Sequence, residues 1–139
     1  MPRSYRDLAL AARRARLKAY APYSKFRVGA AVLTHDGEVY TGCNVENSSY
    51  GLAMCAERTA IFKAVSEGAR KFRAVAVSAE TQGFTAPCGA CRQVLLEFAP
   101  NADVILINRD NRLKILKVNS LIPMGFTAKD LKSKTRRKK

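Results

Sequence analysis

The sequence predicts an α/β layered domain of five strands, and three observations carry the prediction. Two β-like runs, Phe26 to Thr34 and Glu38 to Val45, are joined by His35-Asp36-Gly37. Asp-Gly between apolar runs is a hairpin signal. The middle of the chain then alternates strand and helix patterns in β-α-β-α-β order, which lays parallel strands under packed helices. Finally, Val104 to Ile107 is short and wholly apolar, as expected of a strand buried on both faces.

Each element has its own signal. Tyr5 to Tyr20 places Leu8, Ala12, Ala15 and Ala19 at helical spacing, with Ser4 as N-cap and Pro22 closing the helix. After the hairpin, Asn44 to Ala53 is loop. A helix runs from Cys55 to about Glu67, with Ala60, Ile61, Ala64 and Val65 on its apolar face and Gly68 as its C-cap. Phe72 to Ala79 alternates and carries the β-branched Val75 and Val77, so it is a strand. The loop Glu80 to Ala86 leads into a second helix from Cys88, apolar at Val94, Leu95 and Phe98, which stops before Pro100. Beyond the buried strand, Asn108-Arg109-Asp110-Asn111 turns the chain into a last strand, Leu113 to Val118. No repeat or linker interrupts this order. Residues 1–128 form the expected folded domain and 129–139 a basic, disordered tail.

At 139 residues one domain is expected. A chain of this size buries roughly 68–70% of its unfolded surface, enough for a core without disulfide staples. No apolar run approaches the ~18 residues of a membrane span, and the basic start lacks the apolar stretch of a secretory signal. A soluble, cytoplasmic protein with no membrane partner is the expectation. The formal charge of +14 gathers at the two ends, as in Arg13, Arg14 and Arg16 and in Arg136, Arg137, Lys138 and Lys139. Such patches suit nucleic acid or an anionic surface. The tail has no interleaved aromatics for base stacking, so it is read as solvated, and nucleic acid is admitted as a partner only through it.

The chemistry concentrates in Cys55-Ala56-Glu57 and Pro87-Cys88-Gly89-Ala90-Cys91. Each segment opens a predicted helix, where free N–H groups and the positive dipole end favour thiolate, the form that binds metal. Cys88 and Cys91, three apart at a helix start, can face one ion, and Cys55 would complete a set of three. Three protein ligands leave a tetrahedral zinc one open position, the mark of a catalytic site. Glu57 stands beside that opening. Three thiolates on Zn²⁺ sum to −1, so something must draw charge off the sulfurs, and Arg58 and Arg92 are the candidates. Cys43, in a predicted strand, reads as a small buried hydrophobe, with a fourth ligand of a closed structural site as the alternative. His35 belongs to the hairpin turn.

With these residues the chain resembles the cytidine deaminase family. The superfamily pattern is H-x-E with P-C-x-x-C, or its all-cysteine variant, and the form here is the three-cysteine one typical of small homotetrameric members. The likeness extends through Ala21-Pro22-Tyr23-Ser24-Lys25-Phe26-Arg27-Val28-Gly29-Ala30-Ala31, Gly42-Cys43-Asn44-Val45-Glu46-Asn47, Cys91-Arg92-Gln93, Leu121-Ile122-Pro123 and Phe126. It implies a three-layer α/β/α sandwich with a mixed five-stranded sheet, one Zn²⁺ per subunit, and a homotetramer. It implies hydrolytic deamination of free cytidine and 2′-deoxycytidine in pyrimidine salvage. By the same resemblance Glu57 is the catalytic acid–base, and Cys55, Cys88 and Cys91 bind the metal. Arg58 supports the sulfurs, and Phe26, Ala56, Tyr50 and Phe126 meet substrate, Tyr50 and Phe126 from neighbouring subunits. Asn44 and Glu46 hold the ribose 3′-hydroxyl, and a carboxylate there would repel a 3′-phosphate. The competing readings are an RNA- or tRNA-acting deaminase, a blasticidin-type deaminase, and a non-catalytic basic zinc module that binds nucleic acid.

Overall fold

The computed structural model describes residues 4–131. Five strands, β1 (Val28–Thr34), β2 (Val39–Cys43), β3 (Phe72–Ala79), β4 (Asp103–Ile107) and β5 (Leu113–Lys117), form one sheet in the order β2-β1-β3-β4-β5. β1 is antiparallel to both β2 and β3, β3 and β4 are parallel, and β5 returns antiparallel to β4. The sheet is therefore mixed, and β2, β3 and β4 share one direction, as the alternating middle of the chain predicts.

Helix α1 (Tyr5–Arg16) covers one face, with Leu8, Ala9 and Ala12 packed on Ala31, Ala74, Ala76, Ile105 and Ile107. Helices α2 (Ala56–Ser66) and α3 (Gly89–Phe98) cover the other, where Ala60, Ile61 and Leu95 meet Val32, Val75, Val77 and Val104. Burying a side chain the size of Ile61 or Leu95 is worth about 1.5–3 kcal/mol, and alternate residues of β3 and β4 serve the two layers. The expected three-layer α/β/α sandwich is what forms. A short helix, α4 (Val118–Leu121), follows β5. Among the described residues no helix is long and apolar enough to cross a membrane.

Local signals hold where they are self-contained. Ser4 Oγ accepts the Asp7 N–H at 3.2 Å and caps α1. Gly68, at φ +103°, ends α2: its N–H donates to Val65 O and the next N–H, of Ala69, to Ala64 O, a Schellman closure. The hairpin turn has Gly37 at φ +89°.

Other boundaries move. The first helix stops at Arg16 rather than Tyr20 because Tyr20 is taken by tertiary pairing: its N–H donates to Asn44 O at 3.0 Å and its carbonyl accepts from Glu46 N–H at 2.8 Å. β1 starts at Val28 rather than Phe26, and β2 ends at Cys43 rather than Val45. The expected loop contains a 3₁₀ turn, Tyr50–Leu52. Val118 leaves the last strand to start α4, its N–H donating to Ala102 O at 3.1 Å. The expected tail falls on residues 129–139: 129–131 lie in a helical turn in which Thr127 N–H donates to Asp130 Oδ2 at 2.8 Å, and the remainder lies outside the described residues.

Two glycines set the layer spacing. A Cβ on Gly29 would lie 2.0 Å from Ala12 O of α1, and one on Gly42 would lie 2.5 Å from Ala60 N and 2.9 Å from Ala56 O of α2. The first turn of α2 therefore rests directly on β2 backbone. Gly42→Ala is expected to lower unfolding stability by about 1–3 kcal/mol, the cost of overpacking a tight contact, and to weaken zinc retention by displacing Cys55. Chemical denaturation and zinc analysis check this; an unchanged midpoint would contradict it.

Candidate metal centre

Cys55 is the N-cap residue of α2 and Cys88 that of α3, and neither thiol is spent on capping. Cys91 is in the first turn of α3 and fully buried. The three Sγ atoms lie within 4.8 Å of one another. Tetrahedral sulfurs at ~2.3 Å from zinc stand about 3.8 Å apart, and Cys55 Sγ to Cys88 Sγ is 3.7 Å. Soft donors at this spacing, on two helix N-termini that favour thiolate, fit zinc.

The electrostatics agree. A hydrogen bond from the Cys91 thiol, with help from Arg58 and Cys88, brings the Cys55 thiol down to about 5. The same pairing, together with burial, holds Cys91 up. Arg58 Nη2 donates to Cys55 Sγ at 3.3 Å, and this contact raises the arginine's own pKa. Arg92 does not reach a sulfur. Its Nε donates to Pro87 O at 2.8 Å and its Nη1 to Leu121 O at 2.9 Å, so it ties the loop before Cys88 to the chain beyond β5.

Glu57, the second residue of α2, is only 5% exposed. Burial pushes its carboxyl up from the ordinary range, and charge on Cys55 adds to this. Ala56, between Cys55 and Glu57, is fully buried. Cys43 pairs in register with Gly29, whose open side faces α1. Directly paired strand residues share a face, so Cys43 points to the layer opposite α2 and α3 and stands outside the trio. His35 is in the hairpin turn, its N–H donating to Lys71 O.

The residues expected around substrate fall into two groups. Asn44 Oδ1 accepts Val28 N–H at 2.8 Å, and its Nδ2 donates to Phe26 O at 2.8 Å. Glu46 Oε1 accepts from Tyr23 N–H at 3.0 Å and Ser24 N–H at 3.1 Å, while Oε2 accepts from the Ser24 hydroxyl. That hydroxyl holds the Glu46 carboxyl below its usual range. Both side chains thus brace residues 23–28, where Phe26 is 40% exposed. A cavity of about 340 Å³ is lined by Tyr23, Ser24, Glu46, Asn47, Tyr50 and Ala53, with the Tyr23 and Tyr50 rings edge to face at 6.1 Å. Tyr50 is otherwise exposed. Phe126 is apart from this group: its main chain is held on both sides by Gln93, at 3.1 Å to Oε1 and 2.6 Å from Nε2, and its ring is half exposed.

Ser24, Gln93 and the backbone contact at Gly42 were not singled out by sequence reasoning. Ser24 and Gln93 lie in the segments that carry the family likeness, and glycine inside a strand, as at Gly42, marks a close backbone approach.

The family described as the cytidine and deoxycytidylate deaminase zinc-binding region matches residues 2–107, and the chain belongs to that family. A curated relative from Sporosarcina psychrophila, named cytidine deaminase, is 52% identical over 120 residues, 86% of this chain and 88% of the relative. The crystal structure of cytidine deaminase from Burkholderia pseudomallei superposes with a TM-score of 0.86 at 52% identity, covering 88% of this chain and 99% of that one. That of cytidine deaminase from Mycobacterium tuberculosis gives 0.77 at 38% identity, with 90% and 98% covered. Zinc is the metal of this family, and the Cys55, Cys88 and Cys91 cluster is where the described residues could hold it.

Proposed function

We propose that the protein hydrolyses free cytidine and 2′-deoxycytidine to uridine and 2′-deoxyuridine plus ammonia, as a step of pyrimidine salvage. The observation that carries the reading is a buried carboxylate, Glu57, on the same helix turn as one thiol of a three-cysteine cluster spaced for zinc, in a chain 52% identical to a cytidine deaminase.

In this reading Cys55, Cys88 and Cys91 hold one Zn²⁺ per subunit. When bound, zinc supplies activation of a water molecule near neutral pH, where bulk water is a poor nucleophile. Glu57 Oε receives the proton that this water gives up and passes it to ring N3 as the oxygen–C4 bond forms. It then takes the remaining proton from the oxygen on C4 and delivers it to the exocyclic amine as the C4–N bond breaks, so ammonia leaves and the ring keeps a carbonyl. Burial of Glu57 keeps bulk water from competing for these transfers. Arg58, donating to Cys55 Sγ, draws charge from the sulfurs. Ala56 and Phe26 face the base, and Asn44 and Glu46 hold the 3′-hydroxyl.

The exposure of Tyr50 and Phe126, 77% and 50%, supports a homotetramer in which both are covered by neighbouring subunits. Four free thiols suit a reducing cytoplasm. Ultraviolet monitoring of cytidine loss tests the reading, with cytosine-containing oligonucleotides and blasticidin S as rival substrates; turnover of either rival without turnover of cytidine would overturn it. Deleting residues from Lys132 onward is expected to leave cytidine kcat/KM within about twofold while lowering any salt-sensitive RNA binding. A large fall in deamination would assign the tail a role in the reaction.

A further inference from the structure

We propose that Ser24 is a positioning residue: it orients the Glu46 carboxylate so that one acceptor site remains, aimed at a single sugar hydroxyl. The inference rests on the reading of Glu46 as the group that holds the 3′-hydroxyl. It adds the residue that sets the selectivity.

A carboxylate has about four acceptor sites. Glu46 spends two on Oε1, for Tyr23 N–H and Ser24 N–H, and one on Oε2, for the Ser24 hydroxyl. One site on Oε2 remains. The direction of the serine proton is itself determined, because Ser24 Oγ accepts Phe26 N–H at 3.0 Å and has its own hydrogen left to give. Without this hydroxyl, Oε2 would have a second open site and the carboxylate could turn about its terminal torsion, which is soft.

Asn44 completes the arrangement from the same segment. Its amide has one bond on Oδ1 from Val28 N–H and one from Nδ2 to Phe26 O, which leaves one N–H unspent. A ligand hydroxyl can donate to Glu46 and accept from Asn44. An ester oxygen in that place has no hydrogen to donate, and a phosphate would add like charge against the carboxylate. Ser24 also lines the 340 Å³ cavity together with Glu46 and Tyr50.

The experiment compares cytidine with 3′-deoxycytidine, which lacks the hydroxyl in question, for wild type, Ser24→Ala, Ser24→Thr and Glu46→Gln, with zinc content and thermal midpoint measured on each. Ser24→Ala is expected to raise KM for cytidine about tenfold, the size of one charge-assisted hydrogen bond, with kcat within about twofold. Its KM for 3′-deoxycytidine should be unchanged, and Ser24→Thr should recover most of the loss. If Ser24→Ala penalises both nucleosides alike, the serine only shapes the turn and the inference fails; no penalty on either also defeats it. Should Ser24→Ala not fold, Ser24→Cys carries the same comparison with a weaker donor. Glu46→Gln separates the two levels. If it discriminates between the nucleosides and Ser24→Ala does not, only the positioning claim falls. If it does not discriminate, the sugar reading falls with it.

Discussion

Glu57→Gln is expected to bind zinc at wild-type stoichiometry and to lose cytidine turnover by at least 10²–10⁴-fold, the range of a single acid–base group. The amide is close in size to the carboxyl, so the buried site of Glu57 is not emptied. It cannot take a proton from water or hand one to the base. Because the lost interaction acts only along the reaction, the fall should appear in kcat, with KM changed much less. Ultraviolet assay with metal analysis on the same preparation checks this. Turnover within tenfold of wild type with zinc present would remove Glu57 from the chemistry.

The second large effect concerns the metal. Cys91→Ala is expected to abolish zinc retention and activity together, because two thiolates remain of three and the deleted one is the buried member. The protein should also lose the stability that binding contributes, about 4 kcal/mol where free zinc stands a thousandfold above its Kd. A chelator should produce the same fall in the wild type, reversed by added zinc. Cys43→Ala is the contrasting case. Its thiol faces α1 across the sheet, so zinc and activity should persist. Release of zinc by Cys43→Ala would point instead to a closed four-cysteine structural site.

Much of the fold was legible because its signals are local. Asp-Gly marks a turn wherever it occurs between apolar runs, and the helix N-termini announce themselves at Cys55 and Cys88, which the structure uses as N-caps. The trio was legible for the same reason, since spacing at a helix start dictates which thiols share a side. The first helix was overextended because nothing between Leu17 and Tyr20 forbids helix; the pairing of Tyr20 with Asn44 and Glu46 overrides it, and both partners lie more than twenty residues away. Arg58 and Arg92 looked equivalent in sequence, each following a key residue. Only one is directed at a sulfur, the other being drawn to the carbonyls of Pro87 and Leu121.

Composition, periodicity and motif spacing alone determined the layered α/β class, the strand count and the grouping of three cysteines near Glu57, because these depend on short stretches of chain. Tertiary structure decided where each layer sits, through the bare backbone contacts at Gly29 and Gly42. It decided which arginine donates to a thiol sulfur and which groups on distant segments lock Asn44, Glu46 and Phe126 in place. The locks on Asn44, Glu46 and Phe126 depend on hydrogen bonds across 16 to 33 residues of chain. Contacts of that span are chosen by the packed sheet and leave no periodic trace in the sequence.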